Sequence, residues 1–321
     1  MEIGSFLELQ LPKDRELYRQ ETDIARLNTG RMGIWHAFRV TGCKRIWIPI
    51  YQCDSIRKTF EKKGVEMCFY HQDKDWNPLD IEVKEDDAVL LVNYYGIMSS
   101  ERMTELAKPY VHIIIDCAQA FFCHPVKGAL TVYSCRKFVG VPDGAYVIGK
   151  DAHKYVEEYP QCYSSDTATF LLKRIEYGCE GKGYEARSLN EHRIDTEDCM
   201  QMSKLTRTLM DAEDYIYNQQ KRKENFTYVH RCLSGINKIE PTRYMDEETI
   251  PMVYPLVVED ALIQKLFAVK HFQGHWWSYI CEEQSVESFE YWISRYIIPI
   301  TIDQRYGKEE MDYLVNVIKN K

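Results

Sequence analysis

The chain has 321 residues and carries 41 Lys and Arg against 49 Asp and Glu, which gives a net charge of −8. This is the composition of a folded globular protein, and its acidity offers no concentrated basic face for nucleic acid or for an anionic membrane. We therefore expect no nucleic-acid partner and no membrane association. Because no apolar window reaches bilayer-spanning length and no secretory signal pattern is present, we expect a cytoplasmic location.

Eleven cysteines are dispersed along the chain, and no two of them form a C-x-x-C pair. Their spacing is not that of the ligands of a zinc site, and a disulfide scaffold is typical of shorter, secreted chains. We expect reduced thiols and no bound metal.

Residues 30 to 150 alternate between helical spacing and short β-rich runs. Helices are predicted to end at Gly42, at Gly64 and before Pro109. The predicted strands are Arg45 to Ile50, Val65 to Tyr70, Ala88 to Asn93, residues 111–115, Ala129 to Ser134 and Ala145 to Gly149. This alternation is typical of an α/β fold with a mostly parallel sheet and helices on both faces.

The pattern changes in the second half of the chain. A long helical segment is predicted near 198–232, where apolar residues recur at helical spacing, and we interpret it as a bridge between two domains. After it, strands are predicted near 252–258 and 296–302, and helices near 262–269 and 311–318. We place the boundary near residues 230 to 240. This divides the chain into a large α/β domain, 1–235, and a small C-terminal α+β domain, 236–321.

Two residues that follow predicted strands are the first candidates for chemistry, because ligands of an open parallel sheet bind beyond the carboxyl ends of its strands. Asp116 follows the run VHIII, and Lys137 follows an apolar strand. Alone, the first would be a loop cap and the second a surface lysine. A lysine beside a cation such as Arg136, or desolvated in a cleft, can form a Schiff base. Together the two suit a pyridoxal phosphate site, in which the aspartate keeps the pyridine nitrogen protonated.

The segment Thr29-Gly30-Arg31-Met32-Gly33 opens the first predicted helix. Backbone N–H groups at a helix N-terminus bind anions, and glycine allows a phosphate to approach closely. The segment is neither a Walker A sequence nor a G-x-G-x-x-G turn after a strand, so alone it does not identify a phosphate site.

The order of these pieces resembles that of the DegT/StrS-type sugar aminotransferases, which belong to the pyridoxal phosphate fold-type I superfamily. The resemblance is carried by LNTGRMGIWHAF, IWIPIYQCDSIRKTF, VNYYG, IIIDCAQAFF, YSCRKFVGVPDGAYV, KRKENFTYVHRCL and IIPITIDQRYG. These motifs extend over both predicted domains. The resemblance therefore implies a fold-type I architecture for nearly the whole chain.

The resemblance also implies roles for individual residues. Lys137 matches the Schiff-base lysine and Asp116 the partner of the pyridine nitrogen, so these two are the implied catalytic residues. The remaining implied cofactor-binding residues are Gly30, Arg31 and Met32 for the phosphate through their backbone, Tyr51 for stacking on the ring, Gln119 for the region of the phenolic oxygen, and Ser134 for the phosphate.

The implied function is transfer of an amino group from a donor, expected to be glutamate, to a keto sugar that is nucleotide-linked. The implied assembly is a homodimer. Two alternatives stay open: a homologue that binds or regulates without catalysis, and another pyridoxal phosphate reaction such as a dehydration.

A further segment, His275-Trp276-Trp277, has two interpretations. These side chains either line a substrate cleft from the small domain, as the corresponding family segment does, or belong to the core, as aromatic residues commonly do.

Overall fold

The computed structural model of the protein describes residues 3–258, 262–271 and 276–320. Within these residues the central sheet has eight strands in the order β1-β8-β7-β6-β5-β2-β3-β4. Its strands are β1 (Ile24–Leu27), β2 (Arg45–Pro49), β3 (Glu66–Gln72), β4 (Pro78–Leu79), β5 (Asp87–Val92), β6 (His112–Cys117), β7 (Leu130–Ser134) and β8 (Ala145–Ile148). Strands β3, β2, β5, β6 and β7 are parallel, whereas β8 is antiparallel to both of its neighbours. The predicted mostly parallel sheet is thus confirmed.

A second sheet pairs β9 (Val253–Val257) with β10 (Ile297–Thr301) in antiparallel register. The helices are α1 (Gly30–Thr41), α2 (Asp54–Lys62), α3 (Ser100–Ala107), α4 (Thr169–Tyr177), α5 (Gly181–Thr196), α6 (Lys204–Ala212), α7 (Tyr215–Leu233), α8 (Leu262–Ala268), α9 (Ile280–Glu283), α10 (Phe289–Tyr296) and α11 (Lys308–Lys319). Both strands of the small sheet lie where the sequence predicts them. The domain boundary near residue 235 stays a prediction.

The helical stretch predicted near 198–232 is two helices in the structure. Helix α6 ends at Ala212, and α7 begins after Asp214, whose carboxylate accepts the N–H of Tyr217 at 3.0 Å. A capping Asp starts a new helix because it satisfies an N–H that the first turn leaves free. The apolar spacing runs through this break, so periodicity alone does not reveal it.

Both faces of the central sheet are buried. Along β5, Val89 and Leu91 belong to one apolar cluster, while Ala88 and Leu90 belong to the other. A strand whose alternate residues enter two cores is apolar throughout, and this explains the uninterrupted runs in the sequence. In the described part of the chain, no helix is both long enough and apolar enough to cross a bilayer.

Helix α1 packs closely against the middle of the sheet. It is capped by Thr29, whose Oγ1 accepts the N–H of Met32, and it ends at Gly42 in the left-handed conformation. A Cβ on Gly33 would stand 2.8 Å from Cγ1 of Val132 in β7. The absence of a side chain at Gly33 therefore lets the first turn of α1 lie close against β7.

Candidate functional site

The carboxyl ends of β2, β5, β6 and β7 lie along one edge of the sheet because these strands are parallel. Strand β1 has the same direction, since both it and β7 are antiparallel to β8. We call this the carboxyl edge. The predicted site residues all lie at or just after these strand ends: Gly30, Arg31, Met32, Tyr51, Asp116, Gln119, Ser134 and Lys137.

Asp116 is the buried carboxylate of this edge, with 6% of its surface exposed. Its Oδ1 accepts the N–H of Ala118 at 2.8 Å, and its Oδ2 accepts the side-chain amide of Gln52 at 3.1 Å. Burial raises the pKa of the Asp116 carboxyl above its usual value, while the charge of Lys137 and these two hydrogen bonds act in the opposite direction. The site therefore holds a desolvated acid that a nearby cation stabilises in its ionised form.

Lys137 ends a short 3-10 turn, Cys135–Lys137, directly after β7, and its side chain is exposed. Within the described residues its ammonium forms no hydrogen bond or ion pair. The expectation of a desolvated lysine is therefore wrong for this structure. The sequence also suggested Arg136 as a cation beside the lysine. In the structure the charge of Arg136 is partly neutralised by an ion pair with Glu191 of α5. What the structure provides is a free amine close enough to act electrostatically on Asp116.

The amino end of α1 lies beside Ser134, the last residue of β7. A Cβ on Gly30 would stand 3.4 Å from Cβ of Ser134 and 3.8 Å from its Oγ. The first turn of a helix leaves its N–H groups without intrahelical partners, and here the Thr29 cap occupies that of Met32. The amides of Gly30 and Arg31, together with the Ser134 hydroxyl, therefore form a small cradle suited to an anion.

Helix α5 crosses next to this cradle. Arg31 forms an ion pair with Asp195 at 2.8 Å and also donates to the carbonyl of Ile194, and Arg136 pairs with Glu191 one turn earlier on the same helix. Both arginines that flank the cradle are thus held by α5. The guanidinium of Arg31 is engaged in this way, so the part of Arg31 that remains available to an anion is its backbone amide.

Gln119 is buried after β6, and its side chain is oriented by one contact. Its Oε1 accepts the N–H of Tyr95 at 2.7 Å. Tyr95 and the next residue, Gly96, both have positive φ angles, of 59° and 72°. A Cβ on Gly96 would stand 2.5 Å from the backbone oxygen of Gln119, so the two segments are in close contact there. Since Oε1 is occupied, the amide nitrogen of Gln119 is the group it can present to a ligand.

Tyr51 is fully buried after β2, in an aromatic cluster. Its hydroxyl lies 2.6 Å from that of Tyr95, and its ring makes an edge contact with Trp277, the ring centroids being 4.6 Å apart. Trp276 stacks on Tyr95 with centroids 5.7 Å apart. The two tryptophans thus contact the aromatic residues of the carboxyl edge, whereas His275 lies outside the described residues.

Two residues of this edge were missed by the sequence reasoning. Gln52 contacts Asp116, and Tyr95 links Tyr51 to Gln119. The signal that could have found them is position, because each lies within a few residues of the carboxyl end of a predicted parallel strand.

Comparison with known proteins gives matches among solved structures. No family model matches the chain, and no curated protein matches it. The sugar aminotransferase CalS13 from Micromonospora echinospora is 15% identical, with a TM-score of 0.64 over 94% of this chain and 88% of that one. A DegT/DnrJ/EryC1/StrS aminotransferase from Brucella abortus is 13% identical, with a TM-score of 0.62 over 94% and 86%.

A third similar structure is the PLP form of Spr1654 from Streptococcus pneumoniae, assigned as a sugar aminotransferase. It is 15% identical and has a TM-score of 0.65, covering 95% of this chain and 88% of that one. At such identities the likeness establishes the fold. The chain therefore has the fold of the DegT/StrS-type sugar aminotransferases, as its motifs predict.

Proposed function

We propose that the protein is a pyridoxal phosphate-dependent aminotransferase whose active site is the carboxyl edge. The observation that carries the proposal is that a buried Asp116 lies near an exposed Lys137 whose charge acts on it and which has no hydrogen bond or ion pair among the described residues. The similar structures support it, since they are named as aminotransferases and one of them is a PLP form. Neither residue alone would distinguish an active site from an ordinary loop.

The residues present fit the cofactor's phosphate. A phosphate needs several converging N–H or O–H donors, and the first turn of α1 supplies the amides of Gly30 and Arg31 while Ser134 supplies a hydroxyl. The space beside Gly30 is one that a Cβ would fill, because Ser134 is already in van der Waals range of that position. The glycine at residue 30 thus leaves this space in the cradle free of a side chain.

The residues also fit the cofactor's ring. Asp116 would hold a proton on the pyridine nitrogen, and the amide nitrogen of Gln119 would donate to the phenolic oxygen. Tyr51 would cover the ring; its own ring is fully buried here, in contact with Trp76, Tyr94 and Trp277.

When bound, pyridoxal phosphate supplies an aldehyde that takes up an amino group and a ring that withdraws electrons from the bond being broken. Lys137 carries the proton transfers. In the first half-reaction its Nζ would accept the proton from the α carbon of the amino donor. In the second it would donate a proton to the ketone carbon that becomes aminated. Asp116, which is buried, would hold a proton on the ring nitrogen in both half-reactions.

We propose glutamate as the donor and a keto sugar linked to a nucleotide as the acceptor. The printed names of the similar structures support the sugar. The nucleotide and the donor come from the sequence resemblance.

The half-reaction with glutamate tests the proposal. Purified protein loaded with pyridoxal phosphate should produce 2-oxoglutarate once per active site when glutamate is added without a sugar, with loss of the visible band of the bound cofactor. Subsequent addition of a nucleotide-linked keto sugar should restore the band. A loaded protein whose spectrum no amino donor changes would point to the non-catalytic alternative, and dehydration products without 2-oxoglutarate would point to another reaction.

We further propose a homodimer. Helices α4 and α5 carry exposed apolar side chains, including Leu172, Ile175 and Leu189, which are 67%, 82% and 70% exposed. Large exposed apolar groups of this kind mark interaction surfaces, and self-association is the commonest assembly of soluble proteins. Light scattering should give twice the mass of 38.0 kDa. Replacing Leu172 and Ile175 with Glu should weaken the dimer, and a monomeric wild-type protein would contradict the proposal.

A further inference from the structure

Gln52 is a buried amide in contact with the carboxylate of Asp116. It follows β2 and is 4% exposed, and its Nε2 donates to Oδ2 of Asp116 at 3.1 Å. Sixty-four positions separate the two residues in the sequence. The contact exists because β2 and β6 are both paired to β5 in parallel, which brings their carboxyl ends to the same edge.

The orientation of the Gln52 amide is determined by a second hydrogen bond. The N–H of Cys53 donates to Oε1 of Gln52 at 2.8 Å. With its oxygen occupied by a donor, the amide must present its nitrogen on the other side, and that side faces Asp116. Gln52 is therefore a donor to Asp116 by geometry, and a donor favours the ionised carboxylate.

The backbone of Gln52 is also held in place. Its carbonyl accepts the hydroxyl of Tyr279 at 2.5 Å, and its N–H donates to the carbonyl of Ile50 at 3.0 Å. Tyr279 belongs to the C-terminal part of the chain, so this contact ties the segment after β2 to residues beyond the predicted domain boundary. The Gln52 side chain thus projects from a fixed backbone.

Three groups oppose the burial of the Asp116 charge: Lys137, the N–H of Ala118 and the amide of Gln52. The amine of Lys137 is the reactive group, so its charge changes during turnover. The Ala118 donor is a backbone amide and is the same whatever side chain stands there. Of the three, Gln52 is the donor that is both constant during the reaction and specified by its side chain.

We infer that Gln52 is a positioning residue, which fixes the Asp116 carboxylate and keeps it ionised so that Asp116 can hold a proton on a heteroatom of the bound cofactor. The inference rests on the proposed function for its meaning, but the contact itself can be tested without any cofactor. Gln52 touches neither substrate nor cofactor in this account and acts through Asp116.

The test compares Gln52→Met with Gln72→Met. Gln72 is a matched control because it is also 4% exposed and is the last residue of β3, the neighbour of β2. Its amide nitrogen donates to the carbonyl of Trp76 and its Oε1 accepts the hydroxyl of Tyr94, and neither contact involves Asp116. Both changes remove a buried amide and keep a similar volume, so both should lower stability to a similar degree. The variant Gln52→Asn, whose amide is one methylene too short to reach Asp116, provides a second test should Gln52→Met fold poorly.

The first readout uses the cofactor-free protein. The carboxyl carbon of Asp116 is followed by NMR with ¹³C-labelled aspartate and is assigned by its loss in Asp116→Asn. We expect the pKa of Asp116 to rise in Gln52→Met and Gln52→Asn and to stay at the wild-type value in Gln72→Met, because only the first two remove a donor to the ionised form.

The second readout is the affinity for pyridoxal phosphate, measured by absorbance titration. We expect the two Gln52 variants to bind about tenfold more weakly than wild type, the scale of one hydrogen bond to a charged group, and Gln72→Met to bind as wild type. An unchanged Asp116 titration together with unchanged affinity in the Gln52 variants would overturn the inference. If wild type binds no pyridoxal phosphate, the proposed function fails, while the NMR titration still decides whether Gln52 controls Asp116.

Discussion

Two buried aspartates at opposite ends of neighbouring strands have opposite electrostatic environments. Asp87 begins β5 at the amino edge of the sheet, where Arg45 contacts both of its oxygens at 2.9 and 2.7 Å and Trp47 and the N–H of Lys84 also donate to it. These partners lower the pKa of Asp87 to about 2 although burial acts to raise it. Asp116 ends β6 at the carboxyl edge, and there burial prevails and the pKa is raised.

The two environments suit different roles for the two aspartates, a structural one for Asp87 and a ligand-binding one for Asp116. The carboxylate of Asp87 accepts four hydrogen bonds, two of them from the guanidinium of Arg45, and this leaves little capacity to bind a proton or a ligand. Asp116 has one donor on each oxygen and a lysine that is free to react, so part of its capacity to accept hydrogen bonds remains open. A carboxylate with open hydrogen-bonding capacity, such as that of Asp116, suits a ligand site, and such sites lie at the carboxyl edge of a parallel sheet. The carboxylate of Asp87, at the amino edge, has the fully bonded environment of a structural residue.

The largest expected effect is on activity. Lys137→Ala should reduce transamination by roughly a thousandfold or more, because the residue proposed to move the proton is removed. Its free energy of unfolding should fall by no more than about 1 kcal/mol, since the side chain is exposed and forms no hydrogen bond or ion pair within the described residues, and only its charge near Asp116 is lost. Steady-state assays and chemical denaturation check the two parts, and substantial turnover in this variant would remove Lys137 from the mechanism.

Asp87→Asn should have the opposite profile. Loss of the charged pair with Arg45, which leaves a guanidinium with weaker partners, should lower the free energy of unfolding by roughly 2 kcal/mol. The affinity for pyridoxal phosphate should not change. Urea denaturation and a cofactor titration measure both, and weakened cofactor binding in the folded variant would show that the two edges are not independent.

Asp116→Asn sharpens the comparison from the other side. Binding of pyridoxal phosphate should weaken by about tenfold or more, because a neutral amide cannot hold a proton on the pyridine nitrogen. The cofactor-free protein should unfold with a free energy within about 1 kcal/mol of wild type, since removing a desolvated charge offsets a poorer contact with Gln52. A loss of stability as large as that of Asp87→Asn would contradict this assignment.

The smallest expected effect is on the pH dependence of stability. Because the folded pKa of Asp87 is about 2 against a usual 3.8, its contribution is fully present above pH 3.8 and is lost as the pH falls toward 2. Asp116 holds its proton to higher pH in the folded protein than in the unfolded chain, so its contribution falls as the pH rises above 3.8. Denaturation of each Asn variant against wild type should therefore give a stability difference that changes between pH 2 and 3.8 for Asp87→Asn and above pH 3.8 for Asp116→Asn, with opposite slopes.

The sheet and the position of the candidate site were predictable from the sequence because both faces of the sheet are covered. Strands buried on two sides are apolar runs, and the polar residues at their ends, such as Asp116 and Lys137, are then conspicuous. Helices α4 and α5 were not predicted. No residue of α4 is buried. The buried residues of α5 include a glycine and an asparagine, Gly183 and Asn190, so α5 has no marked apolar stripe.

The contacts within the site were not predictable either. Gln52 meets Asp116, and Tyr95 meets both Tyr51 and Gln119, through the pairing of strands that are distant in sequence. Short motifs report which residue types follow a strand, whereas the partner of each side chain depends on the order of strands in the sheet. The exposure of Lys137 depends likewise on what packs around its turn, and no spacing of residues encodes it.

The central claim is that Lys137 is the residue that bonds to pyridoxal phosphate at the carboxyl edge. The most direct test is to load the purified protein with the cofactor, reduce it with sodium borohydride and map the modified peptide by mass spectrometry. The account predicts one stoichiometric modification, on Lys137. Stoichiometric modification of a different lysine, or none on Lys137 at saturating cofactor, would contradict it.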